Sequence, residues 1–148
     1  CIDVNGARSL SLAGGNPDES AAAILRFLLS APEDWVLPVV WNCHGFAAPE
    51  TLALLEGAVD AWLPDYKYGS SLCGEKFSGV SRYPVVAREA ITGMLTQDVP
   101  VIVRILILPG HSQCCHFPVL ETLAGMANPS LYADSIVRTG TSNPATAP

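Results

Sequence analysis

Residues 37–67 begin with Leu37-Pro-Val-Val-Trp-Asn-Cys-His-Gly-Phe46 and end with Val59-Asp-Ala-Trp-Leu-Pro-Asp-Tyr-Lys67. Each of these two apolar runs is followed by polar groups, and the residues between them, 49–57, have the composition of a helix. This order predicts a strand, a helix and a second strand. Because the connection is far longer than a hairpin turn, we expect parallel strands joined by a right-handed crossover.

The same order of strand, polar loop and helix recurs along the chain. We predict a strand at residues 8–13 before a helix at 20–30, a helix at 83–95, and a strand at 99–108 before a helix at 118–126. The run 99–108 is almost continuously apolar, as in strands that are buried on both faces. About four βα units are therefore predicted, and the fold class is α/β, with either a (β/α) barrel or an open parallel sheet.

Two segments lack a strong periodic pattern. Residues 68–77 are predicted to be a loop with room for one helical turn. From residue 128 onward the chain is rich in Ser, Thr, Ala, Asn and Pro and has no long apolar face. We therefore expect one domain over residues 1–127 and a poorly ordered tail over residues 128–148.

Composition excludes several classes of protein. The 148 residues are 49% hydrophobic and carry a formal net charge of −6 without a basic stripe, so we expect no nucleic-acid partner. Arg104 interrupts the longest apolar run, so we expect no membrane span. Five cysteines without a regular framework favour a reducing compartment, which predicts a cytoplasmic protein.

Polar residues follow several of the predicted strands. Gly14-Gly15-Asn16 lies between a strand and a helix, where backbone N–H groups can meet an anion or a carboxylate, although an ordinary tight turn has the same composition. Asn42, Cys43 and His44 end the next strand, and directional hydrogen bonds from such residues suit a ribose or an amino-acid head group.

Charged residues stand at the two remaining strands. Asp65 and Lys67 share a face of an extended strand, where they either position a polar substrate or form a structural ion pair. Arg104 lies inside an apolar run, and a charge there is costly unless it is paired. We predict that Arg104 faces the ligand side of the sheet or contacts Asp65.

A loop after the last predicted strand contains His111, Cys114, Cys115 and His116. Imidazole and thiolate groups suit zinc, so His111, Cys114 and His116 are candidate ligands of a small metal-dependent α/β enzyme. The spacing matches no common zinc motif, and a loop with buried cysteines is the alternative.

Four motifs in order resemble the radical S-adenosylmethionine superfamily, and most of all proteins similar to the pyruvate formate-lyase activating enzyme. They are Ser9-Leu-Ser-Leu-Ala-Gly-Gly-Asn-Pro17, the two runs quoted first, and Arg104-Ile-Leu-Ile-Leu-Pro-Gly-His111. The resemblance extends from about Gly6 to Gly125. It implies a parallel-stranded partial (β/α) barrel of the TIM type and reductive cleavage of S-adenosylmethionine by a [4Fe-4S] cluster. The radical so formed would abstract hydrogen, with a glycyl radical enzyme as the protein substrate.

The resemblance also implies which residues bind S-adenosylmethionine. They are Gly14, Gly15, Asn16, Asn42, Cys43, His44, Asp65, Lys67, Arg104 and His111. Asn16 stands where the family usually has an acid, and Cys43 and His44 also depart from the usual residues.

The cluster motif of the family, CxxxCxxC, is absent from this sequence. Since three thiolates hold such a cluster, we expect an internal fragment that does not cleave S-adenosylmethionine alone. The alternatives are a nucleotide-binding module without redox chemistry and the metal-dependent enzyme described above. The open edges of an incomplete barrel predict self-association.

Overall fold

The computed structural model describes residues 6–12, 15–126 and 128–137. The five strands are Leu10–Leu12 (β1), Val39–Cys43 (β2), Ala61–Tyr66 (β3), Val101–Ile107 (β4) and Leu131–Val137 (β5). The α-helices are Ala21–Leu29 (α1), Pro49–Leu54 (α2), Ser71–Ser78 (α3), Tyr83–Leu95 (α4) and Phe117–Ala124 (α5). A 3-10 turn at Pro17–Ser20 precedes α1, and a π-helical turn at Ser112–His116 precedes α5. The chain is thus four strand–helix units followed by a fifth strand.

The five strands form one sheet in the order β1-β2-β3-β4-β5, and every neighbouring pair is parallel. The predicted α/β class with parallel strands is therefore confirmed. The sheet is open, with β1 and β5 at its edges. Strands that are adjacent in the sequence are adjacent in space, so the polar loops after β2, β3 and β4 lie side by side.

The helices cover one face of the sheet. On the covered face the buried side chains include Trp41, Trp62 and Val103, which share one core with helix residues such as Leu52 and Ile91. The alternate strand positions are only half-buried and form what we call the uncovered face: Val40, Asn42, Leu63, Asp65, Ile102, Arg104 and Leu106. The expectation that residues 99–108 form a strand buried on both faces is therefore wrong. No helix among the described residues shields the second face of β4.

The helix α3 lies where the sequence predicted a loop. Its first turn is capped by the Ser70 hydroxyl, which accepts a hydrogen bond from the Cys73 N–H at 3.2 Å. It ends at Gly79, whose φ of +69° is the left-handed conformation that closes many helices. Leu72 and Phe77 remain exposed, so α3 has little of the apolar periodicity by which helices are recognised.

The strand β5 lies within the predicted tail. It pairs with β4 from Leu131 opposite Val101 to Val137 opposite Ile107. Tyr132, Asp134 and Ser135 are exposed, whereas Leu131 packs against the core, and the backbone ladder to β4 holds the strand in the sheet. Residues 128–137 thus differ from the prediction of a poorly ordered tail, and residues 138–148 lie outside the described residues.

Among the residues that the structure describes, no helix combines the length and the apolar composition needed to cross a bilayer.

Candidate functional site

An Arg–Asp–Asn network on the uncovered face connects the middle of β4 with the carboxyl ends of β2 and β3. The Arg104 guanidinium donates from Nη2 to Asp65 Oδ1 at 2.6 Å and to Asn42 Oδ1 at 2.5 Å. Asp65 and Arg104 are direct neighbours in the register of β3 and β4. The predicted contact between Arg104 and Asp65 is therefore confirmed, and Asn42 completes the network from β2.

Two further side chains extend this network toward solvent. Lys67 Nζ lies 3.4 Å from Asp65 Oδ2 and 3.1 Å from His44 Nδ1. His44 Nδ1 is 3.8 Å from the same Asp65 oxygen, and the His44 side chain is 49% exposed. Lys67 and Arg104 thus share the single carboxylate of Asp65, so positive charges outnumber negative charges in this network. We call the following residues the strand-end cluster: Asn42, His44, Asp65, Lys67 and Arg104.

The strand-end cluster borders a cavity of about 410 Å³, to which all of its members except Asn42 contribute, together with Tyr68, Ile105 and Leu106. A cavity with a few convergent polar groups is the usual form of a small-molecule site. The Arg104 Nε atom is buried and has no hydrogen-bond partner, whereas Nη2 has two. An unpaired buried donor of this kind is unfavourable, so the cluster is not a fully satisfied structural ion pair.

Tyr83 of α4 holds the backbone beneath the strand-end cluster. Its hydroxyl accepts a hydrogen bond from the Lys67 N–H at 2.9 Å. The same hydroxyl lies 3.2 Å from the His44 carbonyl oxygen and 3.0 Å from the Asp65 carbonyl oxygen, and it donates its proton to these acceptors. Burial raises the pKa of Tyr83, so the hydroxyl remains protonated. One buried side chain thus fixes the spacing of three residues of the cluster.

Gly45 allows the ends of β2 and β3 to approach each other. Its φ is +66°, a conformation that most side chains disfavour. A Cβ atom at this position would also overlap the carbonyl oxygen of Asp65. Both observations require glycine, and they explain why His44 can lie next to Asp65.

The predicted glycine turn lies beside the strand-end cluster. Gly15 has a φ of +65°, and Asn16 Oδ1 accepts a hydrogen bond from the His44 N–H at 3.4 Å. The Asp18 carboxylate accepts a hydrogen bond from Trp41 Nε1 at 2.7 Å, and burial raises the pKa of Asp18. Gly14 lies outside the described residues. The turn thus places Asn16 next to the end of β2.

Two of the predicted cofactor residues lie elsewhere. Cys43 is 1% exposed and belongs to the core on the helix-covered face, where burial raises its pKa to about 12. His111 follows β4 but does not line the cavity at the strand-end cluster. It contacts sulfur atoms instead.

A second cluster joins α3 to the turn before α5. Cys73, His111, Cys114 and Cys115 present one sulfur or nitrogen atom each, and these atoms all lie within 4.8 Å of one another. Cys73 Sγ is 3.4 Å from Cys114 Sγ, and His111 Nδ1 is 3.7 Å from Cys73 Sγ and 3.3 Å from Cys114 Sγ. We call these four residues the thiol–imidazole cluster, and its donor set could bind a metal ion.

The thiols of this cluster differ in acidity. Burial alone would raise the pKa of Cys73, but hydrogen bonds from Ser70, the neighbouring thiols and His111 lower it to about 6. Burial is the main cause that raises the pKa of Cys115, and the nearby Cys73 side chain raises it further. Of the three ligands suggested from the sequence, His111 and Cys114 belong to the cluster, whereas the His116 ring packs against Phe117.

A larger cavity of about 630 Å³ lies between α2 and α4. Its lining is mostly apolar, with Phe46, Leu52 and Val86 among the contributors, and its carboxylates are Glu56 and Glu89. It contains none of the polar strand ends. We therefore take the strand-end cluster, and not the larger cavity, as the candidate functional site.

Comparison with known proteins gives one relative and no function. No protein-family model matches the chain. The uncharacterized protein MJ0674 of Methanocaldococcus jannaschii is 34% identical to this chain over 117 residues, which are 79% of the chain. The match covers 33% of that protein, so the chain spans about one third of the length of this relative.

Sequence reasoning missed Cys73 and Cys115 as possible ligands. Cys73 lies on a helix that the sequence did not predict, and Cys115 is not among the three ligands that the sequence suggested. The positions of these cysteines relative to the strands could have indicated the site, because Cys73 follows β3 and Cys114 follows β4. Loops at the carboxyl ends of adjacent parallel strands lie side by side.

Proposed function

We propose that this chain provides the S-adenosylmethionine-binding face of a radical S-adenosylmethionine protein similar to the pyruvate formate-lyase activating enzyme. The observation that carries the proposal is the strand-end cluster. Asn42, His44, Asp65 and Lys67 lie at the carboxyl ends of β2 and β3, where α/β folds bind small molecules, and Arg104 contacts Asn42 and Asp65 from the middle of β4. The motifs that resemble this superfamily contain every one of these residues.

The sheet order supports a partial (β/α) barrel as the architecture. Doubly wound sheets reverse their strand order at a switch point, whereas the strands of a (β/α) barrel follow one another in sequence order. This sheet runs from β1 to β5 without a reversal. Helices cover one face, and the half-buried uncovered face, with residues such as Leu63 and Ile102, corresponds to the interior of a barrel.

The strand-end cluster offers hydrogen-bonding partners for the amino-acid end of S-adenosylmethionine. This ligand combines a carboxylate with an ammonium and a sulfonium group. Arg104 and Lys67 offer donors to the carboxylate, and the Asp65 and Asn42 oxygens can accept from the ammonium group. The cavity of about 410 Å³ is within the range of ordinary ligand pockets, roughly 300–1,000 Å³.

The residues of this chain do not fit a [4Fe-4S] cluster of the radical S-adenosylmethionine type. Such a cluster needs three thiolates from CxxxCxxC, and the 148 residues contain no such motif. The thiol–imidazole cluster has a different spacing, with two adjacent cysteines. We therefore assign to this chain the binding of S-adenosylmethionine and not its cleavage. Radical formation, and the activation of a glycyl radical enzyme, belong to the proposed parent protein.

Isothermal titration calorimetry of the 148-residue chain with S-adenosylmethionine tests this proposal. We expect saturable binding that Arg104→Gln and Lys67→Met each weaken by at least roughly tenfold, about 1.4 kcal/mol, because each removes one cationic donor. Arg88→Gln removes an arginine of α4 away from the strand-end cluster and serves as the control with unchanged affinity. Circular dichroism confirms that each variant is folded.

The absence of binding up to roughly millimolar ligand would contradict the proposal. Unchanged affinity in both Arg104→Gln and Lys67→Met would contradict it as well, because the ligand would then bind elsewhere.

A further inference from the structure

We propose that Cys73, His111, Cys114 and Cys115 form a site for a single zinc ion, with three thiolates and one imidazole as ligands. The site is separate from the strand-end cluster and does not depend on the function proposed above. Its role is to join α3 to the turn between β4 and α5.

The spacing of the ligand atoms suits one tetrahedral ion. With Zn–S bonds of about 2.3 Å, two sulfur ligands of a tetrahedral zinc ion are about 3.8 Å apart. The three separations among the ligand atoms of Cys73, His111 and Cys114 range from 3.3 to 3.7 Å, and all four ligand atoms lie within 4.8 Å of one another. A small contraction around the ion brings the fourth ligand, Cys115, to the same distance.

The backbone brings two adjacent cysteines into one site. Cys114 and Cys115 lie in the π-helical turn Ser112–His116, a wider turn than the α-helix and one that is common at functional sites. The Cys115 N–H donates a hydrogen bond to the His111 carbonyl oxygen at 2.9 Å, and the Phe117 N–H donates to the Ser112 carbonyl oxygen, which is the wider bond of the π turn. This geometry removes the usual objection to neighbouring cysteines as ligands of one ion.

A glycine and an aromatic contact hold α3 close to the turn that contains the other three ligands. A Cβ atom on Gly69, just before α3, would overlap the carbonyl oxygen of Cys115. The Phe77 ring of α3 meets the His111 imidazole edge to face, with ring centroids 4.9 Å apart. The ligands are therefore positioned before an ion arrives, which lowers the entropic cost of binding.

Access and proton balance are both compatible with zinc binding. His111 and Cys114 are half-exposed, whereas Cys73 and Cys115 are buried, so an ion can enter from one side and be enclosed on the other. Binding forms three Zn–S bonds and one Zn–N bond, and each cysteine that is still protonated loses its S–H proton. The thiol protons pass to solvent, and no atom changes its oxidation state.

The test is a titration of metal-free, reduced protein with Zn²⁺ and with Co²⁺ as a spectroscopic substitute. We expect one ion per chain and a Co²⁺ spectrum with the intense bands of tetrahedral thiolate coordination. The melting temperature should rise by roughly 5 °C or more on adding Zn²⁺, because the ion binds only the folded chain. A chelator should reverse this rise.

Variants identify the ligands. Cys73→Ser and His111→Gln should each weaken Zn²⁺ affinity by at least roughly 100-fold, because each removes a bond to the ion. His116→Gln is the matched control from the same turn, and Cys43→Ala is the control for a buried thiol outside the site. Both controls should keep the affinity of the unmodified chain. If a ligand variant fails to fold, the Co²⁺ spectrum of the unmodified chain decides.

Three results would overturn the proposal. The first is the absence of Zn²⁺ or Co²⁺ uptake by protein in which mass spectrometry shows every cysteine to be reduced. The second is a Co²⁺ spectrum without thiolate bands. The third is affinity that survives both Cys73→Ser and His111→Gln.

Discussion

At the level of single residues, the geometry of the strand-end cluster depends on two uncharged residues. Gly45 lets the end of β2 approach β3, and the Tyr83 hydroxyl binds the backbone of three residues from below. The exposed fraction of the side chain is between 18% and 26% for Asp65, Lys67 and Arg104. Solvent therefore weakens the attraction between these charges. Backbone geometry, more than ion pairing, therefore determines the shape of the site.

Gly45→Ala should lower the free energy of unfolding by roughly 2 kcal/mol or more, since the new methyl group adds a steric overlap to a left-handed backbone. Gly57→Ala is the matched control: its φ is +75°, but a Cβ there meets nothing within 4 Å. It should cost only roughly 1 kcal/mol. Urea unfolding followed by circular dichroism measures both. Equal losses in the two variants would show that the Asp65 carbonyl does not restrict Gly45.

Tyr83→Phe should destabilise the chain by roughly 1–3 kcal/mol, because the Lys67 N–H and two carbonyl groups lose a buried partner. Tyr66→Phe is the control, since that hydroxyl donates a hydrogen bond to the Pro84 carbonyl oxygen at 3.0 Å and does not contact the backbone of the strand-end cluster. Its loss should be smaller. The same unfolding experiment compares the two, and a larger loss for Tyr66→Phe would contradict the role given to Tyr83.

Some of these residues could be predicted from the sequence and others could not. A charge inside an apolar run needs a partner, and for this reason the sequence predicts a contact between Arg104 and Asp65. Asn42 and Lys67 follow neighbouring predicted strands, so the sequence also indicates that they lie close to this pair. The side of the strand on which Cys43 lies follows from its register, because alternate residues face opposite sides. The position of Cys73 next to Cys114 required the packing of α3, for which the sequence gives little signal.

At the level of elements, hydrophobic pattern predicted the segments that bury side chains. The strands β2, β3 and β4 and the helix α4 were all recognised, and α4 has the predicted bounds, 83–95. The two elements that were not predicted, α3 and β5, have mostly half-buried or exposed side chains. Backbone hydrogen bonds and helix capping stabilise these two elements. Such interactions depend less on a hydrophobic pattern, so they are harder to predict from a sequence.

Hydrogen exchange tests whether β5 is a strand of the sheet. As an edge strand, β5 has a neighbour on one side, so its amide protons should alternate between slow and fast exchange over residues 131–137. The amides of β4, which has neighbours on both sides, should exchange slowly along the strand. Nuclear magnetic resonance measures each site. Uniformly fast exchange over residues 131–137 would instead support the tail predicted from the sequence.

At the level of the whole molecule, the open sheet leaves backbone and apolar groups without cover in the described part of the chain. Both edges, β1 and β5, have unpaired backbone groups on one side, and the uncovered face contains half-buried Val40, Leu63 and Ile102. Exposed edges and apolar faces favour association. We therefore predict that the isolated chain self-associates, so that the mass from light scattering rises with concentration. A constant monomer mass over the whole range would contradict this prediction.

A titration of the ¹⁵N-labelled chain with S-adenosylmethionine, followed by nuclear magnetic resonance, locates the ligand residue by residue. We predict saturable shifts of the amides at residues 42–44, 65–67 and 103–105, around the strand-end cluster, with little change at Leu52 and Glu89 near the larger cavity. The absence of shifts at saturating ligand, or shifts confined to the cavity between α2 and α4, would contradict the account.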